Sequence, residues 1–326
     1  MLRIKAFPRI HISLIGMNRD GYRINGGIGF SVSSPTLDMS FELTPLIEVV
    51  DLRKHGFSKD ELDRLIIHLY RIVKNQNLDK VCKCTIHKGA IQSHVGFGSN
   101  SMIYLSCVEA LLILNHKEYT KNDVIALSGR GGTSGVGINT YFEGGYVFDC
   151  GISNLGQRSF APSSSFVAEK CSQPLLMKSI KLPEWDLGIC IPPIENKTEE
   201  EEIVFFRENC PIAKKDVEEI LYEAVYGLTS SLIESDFEVF CQSINAIQQT
   251  RWKMLERNLY GKKLSDIEDA IKDAGAKCVG MSSLGPMLYF FGNDICGVLE
   301  RLKEGMPWCT CFKTSFNNYG RVVKDD

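Results

Sequence analysis

Neither sign of charge dominates this chain. Its 37 Lys and Arg nearly offset its 40 Asp and Glu, leaving a net charge of −3, and no basic tail or clustered run is present. That balance gives no reason to expect a nucleic acid or a membrane surface as partner, so any phosphate-bearing ligand must be held by local charge. Long apolar runs are missing too: no uncharged stretch approaches the ~18–20 residues that span a bilayer. Residues 1–8 interleave Arg3, Lys5 and Pro8 with their apolar residues, so they read as neither signal peptide nor anchor, and a cytoplasmic protein is expected. Most of the 12 cysteines stand singly in apolar segments, among them Cys107, Cys150, Cys190 and Cys241. That is the pattern of free thiols in a reducing compartment rather than of a disulfide framework. Cys82 with Cys84, and Cys309 with Cys311, are closer pairs. On a strand each pair shares one face, as core packing or as half of a four-thiolate zinc site.

What is present is apolar content and glycine. The 326 residues are 44% hydrophobic, enough for a large core in two lobes or one large α/β unit. Residues 129–151 concentrate glycine without proline, and their apolar positions (Val136, Ile138, Tyr146, Val147, Phe148) should pack inside a folded domain. Glycine this dense lets a backbone turn through positive φ and brings N–H groups close to a ligand. A tight turn between buried elements is the plain alternative. The flanking Arg130, Thr133 and Ser134 favour an anion-binding loop.

Residues 3–16 open with a β-rich pattern, Asp20-Gly21 marks a hairpin-type turn, and residues 22–32 resume a strand interrupted by Gly26, Gly27 and Gly29. Residues 58–75 predict a helix, with Ser58 and Glu61 as a capping box and Leu62, Leu65, Ile66 and Leu69 as its apolar stripe. His94-Val95-Gly96-Phe97-Gly98-Ser99-Asn100-Ser101 then runs into residues 102–114, a helix apolar almost all round and therefore central. A glycine-serine loop opening such a helix presents unpaired N–H groups and the positive dipole end, an arrangement suited to phosphate or pyrophosphate. It lacks the Gly-Lys-Ser/Thr of a Walker loop and the spacing of a dinucleotide fingerprint. Residues 199–202, four glutamates, read as a solvated charged run. Residues 215–233, 237–259 and 264–274 predict amphipathic helices, and residues 280–286 a second glycine-serine turn feeding a strand. The expected architecture is α+β, a β-rich lobe over residues 1–165 with one central helix and a second lobe of helices and strands over 166–326.

Two glycine-serine loops and one glycine cluster, in this order, resemble the GHMP kinase superfamily. The match narrows when five stretches are taken together: residues 9–15, 26–30, 94–99, 129–137 and 280–286. Together they resemble the β-ribofuranosylaminobenzene 5′-phosphate synthase family over nearly the whole chain. The resemblance implies a two-lobed GHMP fold, a homodimer, and a magnesium-dependent, decarboxylating C-ribosyl transfer. In that reaction 5-phosphoribosyl 1-diphosphate joins an aromatic carboxylate, 4-aminobenzoate in the type case, with loss of pyrophosphate and CO₂.

The resemblance also implies a site. His11, His94 and Asp149 are its catalytic candidates, with Asp149 also the candidate magnesium ligand. Gly96, Gly98, Ser99, Asn100 and Ser101 would bind pyrophosphate, and Arg130, Gly131, Gly132, Thr133, Ser134 and Gly135 would form a second anion cradle. Gly26 and Gly27 leave backbone free to approach a ligand, and Ser282, Ser283 and Gly285 form the third motif. Arg9, Arg23 or Arg158 would hold a phosphate or carboxylate by paired N–H donors. Many GHMP kinases carry an aspartate where this chain has Gly137, and glycine cannot take a proton or orient a hydroxyl, which argues against a kinase. A kinase and a binding protein without chemistry stand as alternatives. The chain departs from the family pattern at Gly16, at Asn100 to Met102 and at Ile152; the first and third fall near expected ligand contacts and point to an acceptor other than 4-aminobenzoate.

Overall fold

The computed structural model describes residues 1–89, 91–154, 160–162 and 173–325. Leu2, Ile4 and Ala6 are buried while Arg3 and Lys5 are exposed, so Leu2–Ala6 becomes a half-buried strand with one face on a core. It sits in a five-stranded sheet ordered Val322–Asp325, Leu2–Ala6, Leu37–Thr44, Val81–Ile86, Glu48–Asp51, antiparallel except for its last pair. The helices Lys59–Asn75 and Ser99–Leu114 share its core.

A second sheet runs Arg9–Gly16, Arg23–Ser31, Tyr146–Asp149, Leu176–Ile180, with Ile152–Ser153 added against Arg23–Ser31. Its first two strands are buried almost without interruption, as strands covered on both faces must be. A third sheet is ordered Cys278–Met281, Leu288–Phe291, Asp186–Ile191, Thr310–Ser315. Tyr289 and Phe291 face a core shared with the second sheet. Leu288 and Phe290 face the helices Gly261–Asp273 and Ile295–Gly305. Strands from both expected lobes interleave, because Leu176–Ile180 joins the second sheet and Val322–Asp325 the first.

The central helix Ser99–Leu114 buries eleven of its sixteen residues, as its all-round apolar pattern requires. Its buried charge, Glu109, accepts hydrogen bonds from Tyr141, Tyr119 and Arg321, so the returning end of the chain is tied to the core. Ser58 and Glu61 form the expected capping box of Lys59–Asn75.

Three departures from expectation have local causes. Residues 215–233 do not form one α-helix: Lys214–Tyr222 and Ser230–Glu234 flank a wide π-helical segment, Glu223–Thr229. There Gly227 admits the Ser243 side chain to within the space a Cβ would fill. Residues 237–259 break at buried Thr250, whose hydroxyl bonds the Ile247 carbonyl at 2.7 Å, leaving Phe237–Gln249 and Arg251–Asn258. A helix, Val136–Glu143, lies inside the glycine-dense stretch, hidden in the sequence by the glycines at its ends. Among the described residues no helix is long and apolar enough to cross a membrane.

Candidate active site

Four helices point their N-termini into one cavity of about 710 Å³. They are Lys59–Asn75, Ser99–Leu114, Val136–Glu143 and Glu199–Asn209. Two of them start at glycine with no side-chain cap: Gly98, in the left-handed region at φ +74°, precedes Ser99, and Gly135 precedes Val136. Gly98, Ser99, Asn100, Ser101 and Gly137 all line the cavity, so first-turn backbone and the positive dipole ends face a ligand.

The loop before Ser99 is clamped from behind. Arg9 donates to the Gly96 carbonyl at 2.5 Å, and Ser282 donates to the same oxygen at 2.8 Å. Gly96 needs to be glycine: its φ is +113°, and a Cβ would stand 2.8 Å from the Ser282 carbonyl oxygen. Arg9 remains a cavity cation, although burial and the neighbouring Arg130 lower its pKa to about 10. Arg130 reaches Ser101 Oγ at 3.3 Å and lies 5.4 Å from the centre of the Tyr104 ring. Two guanidinium groups therefore stand beside two uncapped helix ends.

The second uncapped end is organised by Asp149. One of its carboxylate oxygens accepts the Gly135 N–H, and the other accepts the Gly151 N–H at 2.8 Å. The Ser134 hydroxyl stands near enough to the same carboxylate to favour its charged form. Burial lifts the Asp149 pKa to about 6, opposed by those donors. Ser134 Oγ also lies 3.1 Å from His11 Nε2 and accepts the Val136 N–H at 3.2 Å. Which of Nε2 and Ser134 Oγ donates depends on the His11 tautomer; Nδ1 is buried and has no hydrogen-bond partner among the described residues. Burial, then Arg9 and Lys253, hold the His11 pKa well below its usual value, so the ring is neutral.

The other two helix ends carry glutamate. Ser58 and Thr198 each cap their helix and are closed by Glu61 and Glu201 in reciprocal boxes. Glu61 also pairs with His94 at 2.7 Å, tying the Gly96–Gly98 loop to the first of these helices. The bond to Glu61 raises the His94 pKa; against the cost of burial, His94 and the Ser58 N–H pull Glu61 down to about 2. Glu199 pairs with Arg64 at 2.9 Å, and half-buried Glu202 has its pKa pushed up to about 7 by burial. Below them Glu256 accepts from Lys253 Nζ at 2.5 Å and Trp252 Nε1 at 2.8 Å, and all three are fully buried.

Arg9, His11, His94, Gly96, Gly98, Ser99, Asn100, Ser101, Arg130, Thr133, Ser134, Ser283 and Gly285 are thus brought to one cavity. Others are not. Asp149 is fully buried behind the loop and off the cavity lining, with its two oxygens turned to the Gly135 and Gly151 N–H groups, so its place is that of an anchor. Arg23 donates to the carbonyls of Cys150 and Gly151, which rules it out as an anion clamp in this arrangement. Gly26 donates to the Thr133 carbonyl, and Gly27 leaves room for His11 and Ser134; both shape the loop without lining the cavity. Gly131, Gly132 and Gly135 likewise bend the chain rather than face the ligand, and Ser282 braces Gly96 and the His11 N–H. Arg158 lies outside the described residues. The glutamates of residues 199–202 are not simply solvated, because Glu199 and Glu202 form a cavity wall. Glu256 and Arg64 line the cavity unforeseen; the only local signal was Trp252, Lys253 and Glu256 at helical spacing on an amphipathic segment.

The comparisons with known proteins agree with this geometry. No protein-family model matches the chain. It is 30% identical over 293 residues to the beta-ribofuranosylphenol 5′-phosphate synthase of Methanothermobacter thermautotrophicus, covering 88% of each chain. It is 28% identical over 302 residues to the protein of the same name from Archaeoglobus fulgidus, covering 92% of this chain and 91% of that one. Among solved structures, homoserine kinase from Cytophaga hutchinsonii superposes with a TM-score of 0.67 over 99% of this chain and 97% of that one, at 16% identity. L. major mevalonate kinase does so with a TM-score of 0.67 over 98% and 96%, at 14% identity. At such identities the kinases speak for the fold alone, a GHMP kinase fold, whereas the synthases cover nearly the whole chain. The chain belongs to the beta-ribofuranosylphenol 5′-phosphate synthase family.

Proposed function

We propose that this protein joins 5-phosphoribosyl 1-diphosphate to a 4-hydroxybenzoate-type aromatic carboxylate, releasing pyrophosphate and CO₂. The observation that carries the reading is the pairing of two uncapped helix N-termini with Arg9 and Arg130 around one cavity that lacks an acidic base at Gly137. The relatives' name supports a phenol rather than an aniline product, and so a hydroxybenzoate acceptor in place of 4-aminobenzoate.

Helix ends and guanidinium groups stabilise negative charge that grows on the departing diphosphate. As the C1–O bond breaks, ribose C1 becomes cation-like and the ring carbon bearing the carboxylate attacks it. The C–C bond forms, the C–CO₂ bond breaks, and its electron pair restores aromaticity. No strong base takes a proton in that sequence, which suits Gly137. His11, a neutral ring on the cavity wall, would border the sugar, its position set by the contact of Nε2 with Ser134 Oγ. Magnesium would screen the diphosphate charge. Glu202, a half-buried cavity carboxyl, suits it as one protein ligand, since magnesium bound to phosphates keeps few protein ligands.

Gly137 also weighs against a kinase. Its nearest neighbours to an added Cβ are Ser101 at 3.6 Å and Arg9 at 4.0 Å, so a carboxylate would fit where those kinases have one. The test is to incubate the protein with magnesium, phosphoribosyl diphosphate and either 4-hydroxybenzoate or 4-aminobenzoate. Pyrophosphate and CO₂ in equal amounts are expected, with the hydroxy acid preferred. Release of neither, or ADP release from ATP with an alcohol instead, overturns the proposal.

A further inference from the structure

A second hollow of about 280 Å³ adjoins the cavity, and nothing described above occupies it. The two are adjacent, because Asn100, Arg130, Arg64, Glu61 and Glu199 line both. The helices Lys59–Asn75 and Ser99–Leu114 form its walls, presenting Ile67, His68 and Arg71 from one side and Tyr104 from the other, with Phe57 beside them. The His68 and Tyr104 rings lie 5.4 Å apart, and Arg130 covers the Tyr104 ring. An apolar slot of one-ring size, bordered by two rings tilted 46° to each other, therefore lies beside an anion site.

Its charge is cationic where it is free. Arg64 is neutralised by Glu199, and Glu61 by His94. Arg71 makes no side-chain hydrogen bond or ion pair among the described residues. His68 donates Nε2–H to the Leu127 carbonyl at 2.9 Å, and burial, with Arg71 and Arg130 nearby, keeps it neutral. Arg130 stands where the two hollows meet, whereas Arg71 and His68 line the chamber alone. That order gives a ligand a direction.

We propose that this chamber is the acceptor subsite and takes a small aromatic monocarboxylate, its ring against Tyr104 and His68. The carboxylate lies at Arg130, toward the cavity, and the para oxygen lies at Arg71. The proposal rests on the reaction given above. The carbon that carries the carboxylate then faces the ribose. At the far end Arg71 favours an oxygen bearing negative charge, which feeds electron density to the attacking carbon and selects a phenol over a neutral amine.

The experiment is calorimetric titration of the full chain with 4-hydroxybenzoate, 4-aminobenzoate and adenosine, in the presence of saturating pyrophosphate and without turnover. The wild-type chain is expected to bind the hydroxy acid more tightly than the amino acid analogue. Arg71→Gln, an exposed position, should weaken 4-hydroxybenzoate about tenfold and narrow the gap between the two acids. Tyr104→Leu should weaken both acids alike, about threefold to tenfold. Pyrophosphate affinity should stay within about twofold in both variants. Failure of the wild type to bind either acid, binding indifferent to both substitutions, or adenosine binding that Tyr104→Leu abolishes would each overturn the chamber's assignment. Acid binding of the expected pattern without any turnover would instead sink the proposed reaction and leave the subsite standing.

Discussion

The four helix ends at the cavity divide into two kinds, and the contrast shows how one backbone feature serves two purposes. Gly98 and Gly135 begin helices with no side-chain cap, beside Arg9 and Arg130. Ser58 and Thr198 begin helices closed by Glu61 and Glu201. The uncapped ends leave first-turn N–H donors and the positive dipole to the cavity, apart from the Val136 N–H taken by Ser134, whereas a boxed end commits donors to its own cap hydroxyl and glutamate. The cavity thus has an anion-attracting wall and an acidic wall, the second carrying Glu199 and Glu202. The magnesium diphosphate of the proposed reaction would carry both signs into that division.

The largest effect should come from distorting an uncapped end. Gly96→Ala forces a positive-φ residue and a Cβ against the Ser282 carbonyl, so pyrophosphate affinity and turnover should fall about 100-fold. Unchanged values would mean that the 94–98 loop is not the anion cradle.

Asp149→Asn turns one of two acceptors into an amide facing a backbone N–H of Gly135 or Gly151, and denaturant unfolding should show a loss of about 2 kcal/mol. A variant as stable as the parent removes Asp149 from its place as anchor.

Gly137→Asp fits sterically and sets a carboxylate near Arg9. The fold should survive while affinity for phosphoribosyl diphosphate drops about tenfold. If affinity holds, residues 129–137 do not contact the diphosphate.

Boxed ends should behave oppositely. Ser58→Ala and Thr198→Ala should each cost about 1 kcal/mol of stability with pyrophosphate binding intact. Lost binding at full stability would erase the distinction between the two kinds of end.

The smallest effect concerns pH. His94 has a raised folded pKa, so its contribution is complete below the unfolded value near 6.5 and fades as pH rises through the folded value. Glu61 has a lowered one, so its contribution is complete above its unfolded value near 4.5 and fades as pH falls toward about 2. The pair should hold the loop best between these limits. Partial exposure limits it to a few tenths of a kcal/mol, visible as lower hydrogen-exchange protection, relative to the intrinsic rate at each pH, in residues 94–98 above pH 7. Protection that does not change with pH there would remove the His94 tie.

Local pattern accounts for much of what was legible. The box at Ser58 and Glu61 is an i to i+3 device, and the all-apolar run after Ser101 could only be a buried helix. Loops rich in glycine and serine were legible too, and eleven of the described candidates besides His11 and His94 do reach the cavity. Asp149 was misplaced for a physical reason: a carboxylate next to a glycine loop can face the ligand or the loop's own N–H groups, and nothing in the sequence separates the two. The glutamates at 199–202 look like any solvated run until the Thr198 box turns Glu199 and Glu202 inward. Arg71 and Tyr104 belong to separate helices, so their shared chamber has no linear trace.

By itself, then, the sequence determined the glycine-serine loops, the central helix, the family and the absence of a carboxylate at Gly137, because each rests on neighbouring residues or on a missing atom. Only the tertiary structure decided which helix ends meet, that two are open and two closed around one cavity, and that an aromatic chamber opens beside them. Those depend on packing between strands and helices distant in the chain, where small differences in burial direct a side chain to ligand, to backbone or to solvent.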